Sequence, residues 1–270
     1  MRVNSCLAIF FALIATLLLG LNISGLFLDI RPANLAQEPL RFENDLALSR
    51  EQAFIDVEKR TDESEEDYIY RLPGVIAQSI AHVPWNEEPD ATRYHQLVPA
   101  WENYILYLMG VFSGIPEYEK YHFANYKRSI NRGIGICGDA SMILSQLLDK
   151  NQIPNQIISF PGHVVVAAKI ASGQQFFLDA DFGVVVPDGL DDVFAHPELV
   201  SQYYADKGYS HKEITWLEKT YGKEHQRWDG VSHFITKKYY FEKFAYVAKW
   251  LFPLLLLMIS AWLWRSRAKP

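Results

Sequence analysis

The chain has 270 residues, of which 49% are hydrophobic and 21% are charged, and its formal net charge is −6. This composition excludes a collagen-like chain and a disordered polar chain. The acidic balance argues against binding to nucleic acid, because phosphate contacts need clustered lysine and arginine. Two cysteines are too few for a disulfide framework.

Two long apolar runs stand near the two ends of the chain. Residues 6–28 are almost continuously apolar and would form a helix of about 34 Å, which is enough to cross a bilayer. Residues 244–264 form the second run, with Lys249 near its start, where the ammonium can snorkel, and Pro253 inside. We predict a transmembrane helix for each run, the first being a retained signal anchor. A cleaved signal peptide is the alternative for the first run, but the run is long for one and no clear Ala-x-Ala site comes after it.

The charges around the two runs say little about orientation. Lysine and arginine are nearly balanced on the two sides of both runs, so the positive-inside rule gives no clear direction. A signal-anchor start and an even number of spans favour both termini inside and residues 31–243 outside the cytoplasm. The sequence therefore predicts a two-pass membrane protein, with the lipid bilayer as a partner and a periplasmic or extracellular domain between the spans.

The first part of this domain is predicted to be helical. Ser49 can cap a helix that runs to about Arg60, with apolar residues at helical spacing. The acidic run 62–67 is expected to form a solvated turn after it. Two more helices are predicted near 68–82 and 93–112.

A change from helix to strand occurs after the glycine-rich turn at 133–138. Residues 139–148 have the spacing of a buried helix, which ends before Pro154. Three runs of β-branched or aromatic residues then predict strands: 156–160, 163–170 and 175–179. Gly173 makes a turn between the last two, and residues 191–228 are predicted to return to helix. We therefore predict the α+β class, with a helix packed on an antiparallel sheet.

Three residues in these elements have the types that a thiol nucleophile needs. Cys137 stands where the turn enters the helix, and backbone N–H groups and the helix dipole favour a thiolate there. The flanking Gly135 and Gly138 would let a substrate approach the sulfur closely. His163 begins one predicted strand and Asp179 ends the next, so they fall at matching ends of a hairpin. In such a set the imidazole takes the thiol proton and the carboxylate orients the imidazole.

These residues lie in motifs that resemble a known superfamily. The motifs are Gly135-Ile-Cys137-Gly-Asp-Ala140, Leu147-Leu148, Ile153-Pro154, Gly162-His163-Val164 and Phe177-Leu-Asp179. They resemble the transglutaminase-like core of a papain-related superfamily that includes microbial peptidases, amidases and cross-linking acyltransferases. The resemblance extends over about residues 95–190. It implies that Cys137 is the nucleophile, His163 the general base and acid, and Asp179 the residue that orients the imidazole.

Some roles remain open within this resemblance. Asp181 is the fallback for the third member of the triad. The backbone N–H of Cys137 is the natural first donor to an oxyanion, and the family implies a second from an upstream tryptophan, for which Trp101 is the candidate. Asn125 and Gln146 are weaker candidates. Phe176 and Phe177 stand where the family often has a tryptophan before the aspartate.

No metal or cofactor is predicted. Six histidines show neither an HExxH motif nor paired-ligand spacing: His95, His122, His196, His211, His225 and His233. The glycines of the turn at 133–138 have the spacing of a dinucleotide-binding loop, but no strand is predicted before them and Cys137 lies inside the motif.

The leading hypothesis is a membrane-anchored cysteine hydrolase or acyltransferase that acts on amide or peptide bonds of a peptide or protein. Hydrolysis is favoured, because the cross-linking members of the superfamily are usually larger. The alternative is a non-catalytic domain of the same fold that binds a peptide or a partner protein at the membrane. Its surface would be the aromatic-rich segment 203–244, but the intact set of cysteine, histidine and aspartate argues against this alternative.

Overall fold

A computed structural model describes residues 2–33, 35, 45, 48–83 and 91–266 of the chain. The predicted α+β class is confirmed, because the structure combines helices with an antiparallel sheet. The chain forms two compact units. The first, called the helical unit, is Met1–Pro32, Pro89–Tyr121 and Tyr240–Pro270; the second, called the sheet unit, is Ala33–Glu88 and His122–Tyr239. Residues 36–44 and 84–90, which belong to the predicted domain between the spans, lie outside the described residues.

Among the residues that the structure describes, two helices are long and apolar enough to cross a membrane, and they run antiparallel. They are α1 (Arg2–Ser24) and α12 (Thr236–Arg265). Near one end of the pair, Ser260 Oγ donates a hydrogen bond to the Ala8 carbonyl at 2.7 Å. Near the other end, the side-chain amide of Asn22 donates to the Lys249 carbonyl at 2.6 Å. The pair leaves large apolar side chains exposed, among them Leu13, Leu17, Val247 and Trp262.

The predicted helix near 93–112 is shorter and interrupted. Arg93–His95 is a single 3₁₀ turn, and α4 covers Ala100–Phe112, before the short α5 (Pro116–Glu119). Asn103 leaves the helical conformation, and its side-chain oxygen accepts hydrogen bonds from the backbone N–H groups of residues 105 and 106. An asparagine in this position restarts a helix as a cap does, because it satisfies donors that have no partner in the first turn.

Lys249 does not snorkel from the helix pair into solvent. Its ammonium is buried, donates to the Glu102 carbonyl at 2.5 Å and lies 5.0 Å from the ring centre of Tyr246. The Tyr246 hydroxyl in turn donates to the Glu102 carboxylate at 2.5 Å. The end of the helix pair is thus a polar layer in which the cation has specific partners, as a buried charge requires.

The sheet unit begins with two helices that start at serine caps. Helix α2 is Arg50–Asp56 and α3 is Glu65–Ala77. Ser49 and Ser64 each accept a backbone N–H bond in the first turn, at 3.1 and 3.0 Å. The expectation of a solvated turn over 62–67 is wrong in its second half, because residues 65–67 form the first turn of α3, where negative side chains favour the helix dipole.

A short parallel pair leads into the helix that bears Cys137. Helix α6 (Tyr126–Arg132) ends at Gly133, whose φ of 76° is the left-handed conformation that glycine adopts without strain. Strand β2 (Ile134–Gly135) then pairs in parallel with β1 (Ala81–His82). Helix α7 (Cys137–Lys150) begins two residues later, so the sharp change of direction places the thiol at the first position of the helix.

Within the described part of the chain, the sheet has five strands in the spatial order β6-β5-β4-β3-β7, and its bonded neighbours are antiparallel. The strands are β3 (Asn155–Phe160), β4 (His163–Lys169), β5 (Gln175–Asp179), β6 (Val184–Val186) and β7 (Gln226–Trp228). The three predicted strands are confirmed. The two edge strands of three residues each were not predicted, and β7 falls in a stretch predicted to be helical.

Helices cover both faces of this sheet. On one face α7 packs against β-strand residues such as Ile157 and Val166; on the other face Ile158 and Val165 pack in a second cluster that includes Leu217. Three helices and a 3₁₀ turn contribute side chains to this second cluster: α8 (Leu190–Ala195), the turn at Pro197–Val200, α9 (Ser201–Ala205) and α10 (His211–Tyr221). The short helix α11 (Val231–Phe234) then precedes α12. Burial of both faces explains why the central strands are continuously apolar rather than alternating.

Candidate active site

Cys137 is held at the N-terminus of α7 by a buried carboxylate. The backbone N–H of Ile136, which caps the helix, donates to Asp139 Oδ2 at 3.0 Å, and His122 Nδ1 lies 2.7 Å from the same oxygen. Burial raises the pKa of Asp139, but the charge of His122 and its hydrogen bond outweigh burial and hold the pKa below its ordinary value. The thiol itself is half-buried and forms no disulfide.

The two glycines beside Cys137 serve different purposes. A Cβ at Gly135 would lie 2.8 Å from Asp139 Cβ and 2.9 Å from Ile80 Cδ1, which is closer than carbon atoms approach. Among the described residues, a Cβ at Gly138 would have one neighbour within 4 Å, Phe234 at 4.0 Å. Gly135 is therefore required by packing inside the protein, whereas a side chain at Gly138 would meet no close contact among these residues.

His163 and Asp179 meet at the ends of adjacent strands, as predicted from their positions in the hairpin. His163 is the first residue of β4 and Asp179 the last residue of β5. The imidazole Nε2 lies 2.8 Å from Asp179 Oδ2, and the two side chains are 2% and 0% exposed. The hairpin thus joins an imidazole and a carboxylate in a pair that is almost completely shielded from water.

Asp179 has hydrogen-bond donors on both oxygens. Its Oδ1 accepts the backbone N–H groups of Asp181 and Phe182 at 3.0 and 3.2 Å, and its Oδ2 accepts the hydroxyls of Tyr204 and Tyr221 at 2.7 and 3.1 Å. Burial raises the pKa of Asp179. The charge of His163 and hydrogen bonds from His163 and Tyr204 outweigh burial, so the pKa lies below its ordinary value and the carboxylate stays ionised.

The ionised Asp179 stabilises the protonated form of His163. Burial alone would lower the pKa of His163, but the charge and hydrogen bond of Asp179 exceed that effect, with a smaller contribution from Cys137, and raise the pKa well above its ordinary value. Aromatic rings also surround the imidazole, with Phe182 and Trp216 at 5.5 and 5.8 Å between ring centres. The imidazole is thus fixed in orientation as well as in charge.

The thiol lies within reach of this histidine. The Sγ of Cys137, one ring nitrogen of His163 and one carboxylate oxygen of Asp181 all lie within 4.8 Å of one another. Because Nε2 of His163 is bonded to Asp179, Nδ1 is the ring nitrogen left for the thiol. Ser141, one turn after Cys137 on α7, donates to the Val164 carbonyl of β4 at 2.9 Å, which fixes the helix against the strand beside His163.

Asp181 also belongs to the site, but on the side of the sulfur. Its Oδ1 lies 2.6 Å from His82 Nδ1, and its Oδ2 has no hydrogen-bond partner among the described residues. His82 comes to this place because β1 pairs with β2 immediately before Cys137. Asp179, the predicted third member of the triad, therefore binds the imidazole. Asp181, the fallback for that role, lies near the thiol and a second histidine.

Sequence reasoning missed several residues of the site: His82, Ser141, Tyr204 and Tyr221. Tyr204 and Tyr221 lie in the stretch predicted as helix, and nothing in their spacing indicates a hydrogen bond to Asp179. His82 and Asp181 are 99 positions apart. The short β1–β2 pair that brings His82 to the site has no periodic pattern, so it gives no signal in the sequence.

The cluster of Cys137, His163 and Asp181 offers three atoms of the kinds that bind a transition metal. Ligand atoms of a tetrahedral zinc site lie roughly 3.3–3.8 Å apart, given zinc bonds of about 2.0–2.3 Å. The three atoms of the cluster all lie within 4.8 Å of one another. They include a sulfur and an imidazole nitrogen, the two groups that exchange a proton when a thiol acts as a nucleophile.

The remaining predicted donors to an oxyanion have other partners. Trp101 lies on α4 in the helical unit, where its ring contacts His95 edge to face at 5.9 Å. The Asn125 side chain caps α6 through the N–H of residue 127 at 3.0 Å. The Gln146 side chain bonds the backbone of residues 126 and 142. The role of Trp101 stays a prediction.

The fold and the site define a class: a mixed α and β protein whose described residues include two helices apolar enough to cross a membrane and a Cys–His–Asp cluster, with a half-buried cysteine, where a helix meets the ends of sheet strands. Comparisons with protein-family models, with curated proteins and with solved structures found no match to the chain. The geometry of the cluster is thus the observation on which a function can be proposed.

Proposed function

We propose that the protein is a membrane-anchored cysteine hydrolase or acyltransferase that acts on amide or peptide bonds, with a transglutaminase-like, papain-related core. The observation that carries this proposal is the order of the three groups: thiol, imidazole and carboxylate. Asp179 is bonded to one nitrogen of His163, and Cys137 lies near the other at the start of a 14-residue helix. This order is the one that a thiol nucleophile requires.

The proposed reaction has two stages. His163 accepts the proton of Cys137, and the thiolate attacks the carbonyl carbon of the amide. The tetrahedral oxyanion is stabilised by the Cys137 backbone N–H. The carbon–nitrogen bond then breaks, His163 donates its proton to the leaving amine, and an acyl-thioester remains on the sulfur. Water or an amine attacks this thioester, losing a proton to His163, and the thiol re-forms.

The environment of Asp179 supports the first stage. A thiolate–imidazolium pair forms only if the imidazolium is stabilised, and the buried carboxylate with its two tyrosine hydroxyls does this. The tyrosines and backbone amides fix the carboxylate, so it does not have to reorganise when the imidazole becomes charged. The fully buried position also keeps water from weakening the interaction.

The two apolar helices support the proposed location. Their polar contacts are concentrated at Asn22, Lys249 and Ser260, while large apolar side chains face outward. A bilayer would cover those side chains. We propose that both helices span the membrane and that residues 31–243 lie outside the cytoplasm, in the periplasm or the extracellular space.

The proposal is tested by the reactivity of Cys137. In the detergent-solubilised full chain, Cys6→Ser leaves Cys137 as the only cysteine, and its rate of alkylation by iodoacetamide is measured from about pH 5 to about pH 10. We expect rapid alkylation below about pH 7, which His163→Ala abolishes and the exposed-histidine control His196→Ala preserves.

Two results would count against an enzyme. An alkylation rate that rises only near the ordinary thiol pKa of about 8.5, and that is unchanged in His163→Ala, would show that no thiolate–imidazolium pair forms. A thiol that stays unmodified even at high pH would favour the non-catalytic alternative, in which the domain binds a peptide or partner protein.

A further inference from the structure

Asp181 is a second buried carboxylate that the proposed mechanism does not use. It is 5% exposed, one of its oxygens lies within 4.8 Å of Cys137 Sγ, and its Oδ2 accepts no hydrogen bond from any described residue. Burying an unpartnered carboxylate oxygen is costly. One of the two oxygens of this carboxylate lies near the nucleophilic sulfur, which adds repulsion to the thiolate. Such an arrangement leaves one carboxylate oxygen available to a positively charged or hydrogen-bond-donating group of a substrate.

Two histidines lie near Asp181, yet its Oδ2 accepts no hydrogen bond from either of them among the described residues. His163 bonds Asp179 through Nε2 and has one ring nitrogen within 4.8 Å of an Asp181 oxygen, and His82 Nδ1 lies 2.6 Å from Asp181 Oδ1. A further acid, Asp45, accepts the backbone N–H of His82 at 2.8 Å. Burial raises the pKa of the Tyr209 hydroxyl, and the negative charges of Asp179, Asp181 and Asp45 raise it further.

We propose that Asp181 binds a protonated amine that the substrate carries next to the reacting carbonyl group. This inference rests on the proposed function, since it assigns a substrate class to the same site. The enzyme would thus select amides in which a cationic amine stands two or three bonds from the scissile carbonyl carbon, and it would disfavour substrates with an anionic group at that place.

The dimensions of the site fit such a group. With bonds of about 1.5 Å, an amine on the carbon next to the carbonyl lies roughly 3–4 Å from the attacking sulfur. An ammonium at that distance can reach a carboxylate oxygen within 4.8 Å of the sulfur at ordinary hydrogen-bonding distance. The same ammonium would screen the thiolate from the Asp181 charge, so binding of the correct substrate would also remove the repulsion.

The test uses two small reagents with opposite charges at that position and a third, uncharged reagent. Methanethiosulfonates carrying an ethylammonium, a methyl or an ethylsulfonate group each transfer their thioalkyl group to a thiolate and release methanesulfinate. Their second-order rates with Cys137 are measured in the full-length Cys6→Ser chain with EDTA present, so that no divalent cation covers the carboxylate. We expect the ethylammonium reagent to react faster than the ethylsulfonate reagent by about tenfold or more.

Asp181→Asn is expected to reduce this charge ratio about tenfold, with Asp181→Ala as a second variant and a thermal unfolding curve to verify that each is folded. Asp206→Asn, at an exposed position, is the control for net charge and should keep the ratio. An equal ratio in wild type and both Asp181 variants overturns the inference. The methyl reagent separates this failure from failure of the proposed function, because its rate shows whether His163 activates the thiol regardless of any charge preference.

Discussion

Replacing Asp179 with asparagine should uncouple the thiol from the histidine while keeping the shape of the site. The variant retains an oxygen for the two backbone N–H donors but loses the negative charge 2.8 Å from His163 Nε2. At that distance, and with an effective dielectric constant of about 20, the attraction between unit charges is about 6 kcal/mol. Desolvation of the two groups offsets part of this energy.

If half of the attraction remains after desolvation, its loss lowers the population of the thiolate–imidazolium pair about a hundredfold. The alkylation rate of Cys137 in Asp179→Asn should therefore fall about a hundredfold near pH 6. It should approach the wild-type rate near pH 9, where an ordinary thiol also ionises. The rates are measured with iodoacetamide in the Cys6→Ser background, with Asp206→Asn as the matched control at an exposed aspartate.

A variant whose rate differs from wild type by less than about threefold at both pH values would refute the reasoning. In that case, the charge of Asp179 would not stabilise the imidazolium, and the pair would be a structural hydrogen bond. A rate that falls equally at both pH values in a variant that remains folded would instead show lost access to the sulfur.

Four further outcomes are expected. Tyr204→Phe removes one donor to Asp179 and should lower the free energy of unfolding by about 1–2 kcal/mol in chemical denaturation, with a smaller loss of thiol reactivity than Asp179→Asn; equal losses in the two would contradict the charge argument. Gly135→Ala should lower stability by about 1–3 kcal/mol because of its contacts with Asp139 and Ile80, whereas Gly138→Ala should be near neutral, and thermal unfolding of the pair would expose a reversed order. The pKa of His163 is raised in the folded protein, so the stability that its charged form contributes is full below the pKa of the unfolded chain, about 6.5, and is lost as the pH rises through the pKa of the folded protein. The difference in the free energy of unfolding between wild type and His163→Gln should therefore shrink in alkaline solution. A difference that grows there would be inconsistent with a stabilised imidazolium. The two apolar helices should keep the protein in the membrane fraction after washing with alkaline carbonate, and release by carbonate would contradict the proposed spans. Thr61→Cys, at an exposed position, should react with a membrane-impermeant thiol reagent added from outside the cell, and a lack of reaction would contradict the proposed orientation.

Local signals in the sequence were sufficient where each element carries its own pattern. The three long strands are runs of apolar residues, Ser49 caps α2, and the glycine-rich turn marks the start of α7. Because consecutive antiparallel strands place their ends together, the meeting of His163 and Asp179 could be predicted from the order of these elements.

Other features depend on long-range packing and gave no local signal. Strands β6 and β7 have three residues each, too few for a periodic pattern, and their pairing depends on the longer strands beside them. Gly135 resembles a residue kept small for a substrate, yet the contacts that forbid a side chain there come from α7 and from Ile80. The position of Asp181 beside His82 likewise arises from the β1–β2 pair rather than from any spacing along the chain.

Cys137 and His163 are expected to form an ion pair in the resting protein, and the amount of thiolate can be measured directly. The ultraviolet absorbance of a thiolate is measured at about pH 6 in the Cys6→Ser chain and, as the blank, in the same chain with Cys137→Ser. We expect this difference to fall when His163→Ala is added to the Cys6→Ser chain. An equal difference with and without His163→Ala would contradict the account.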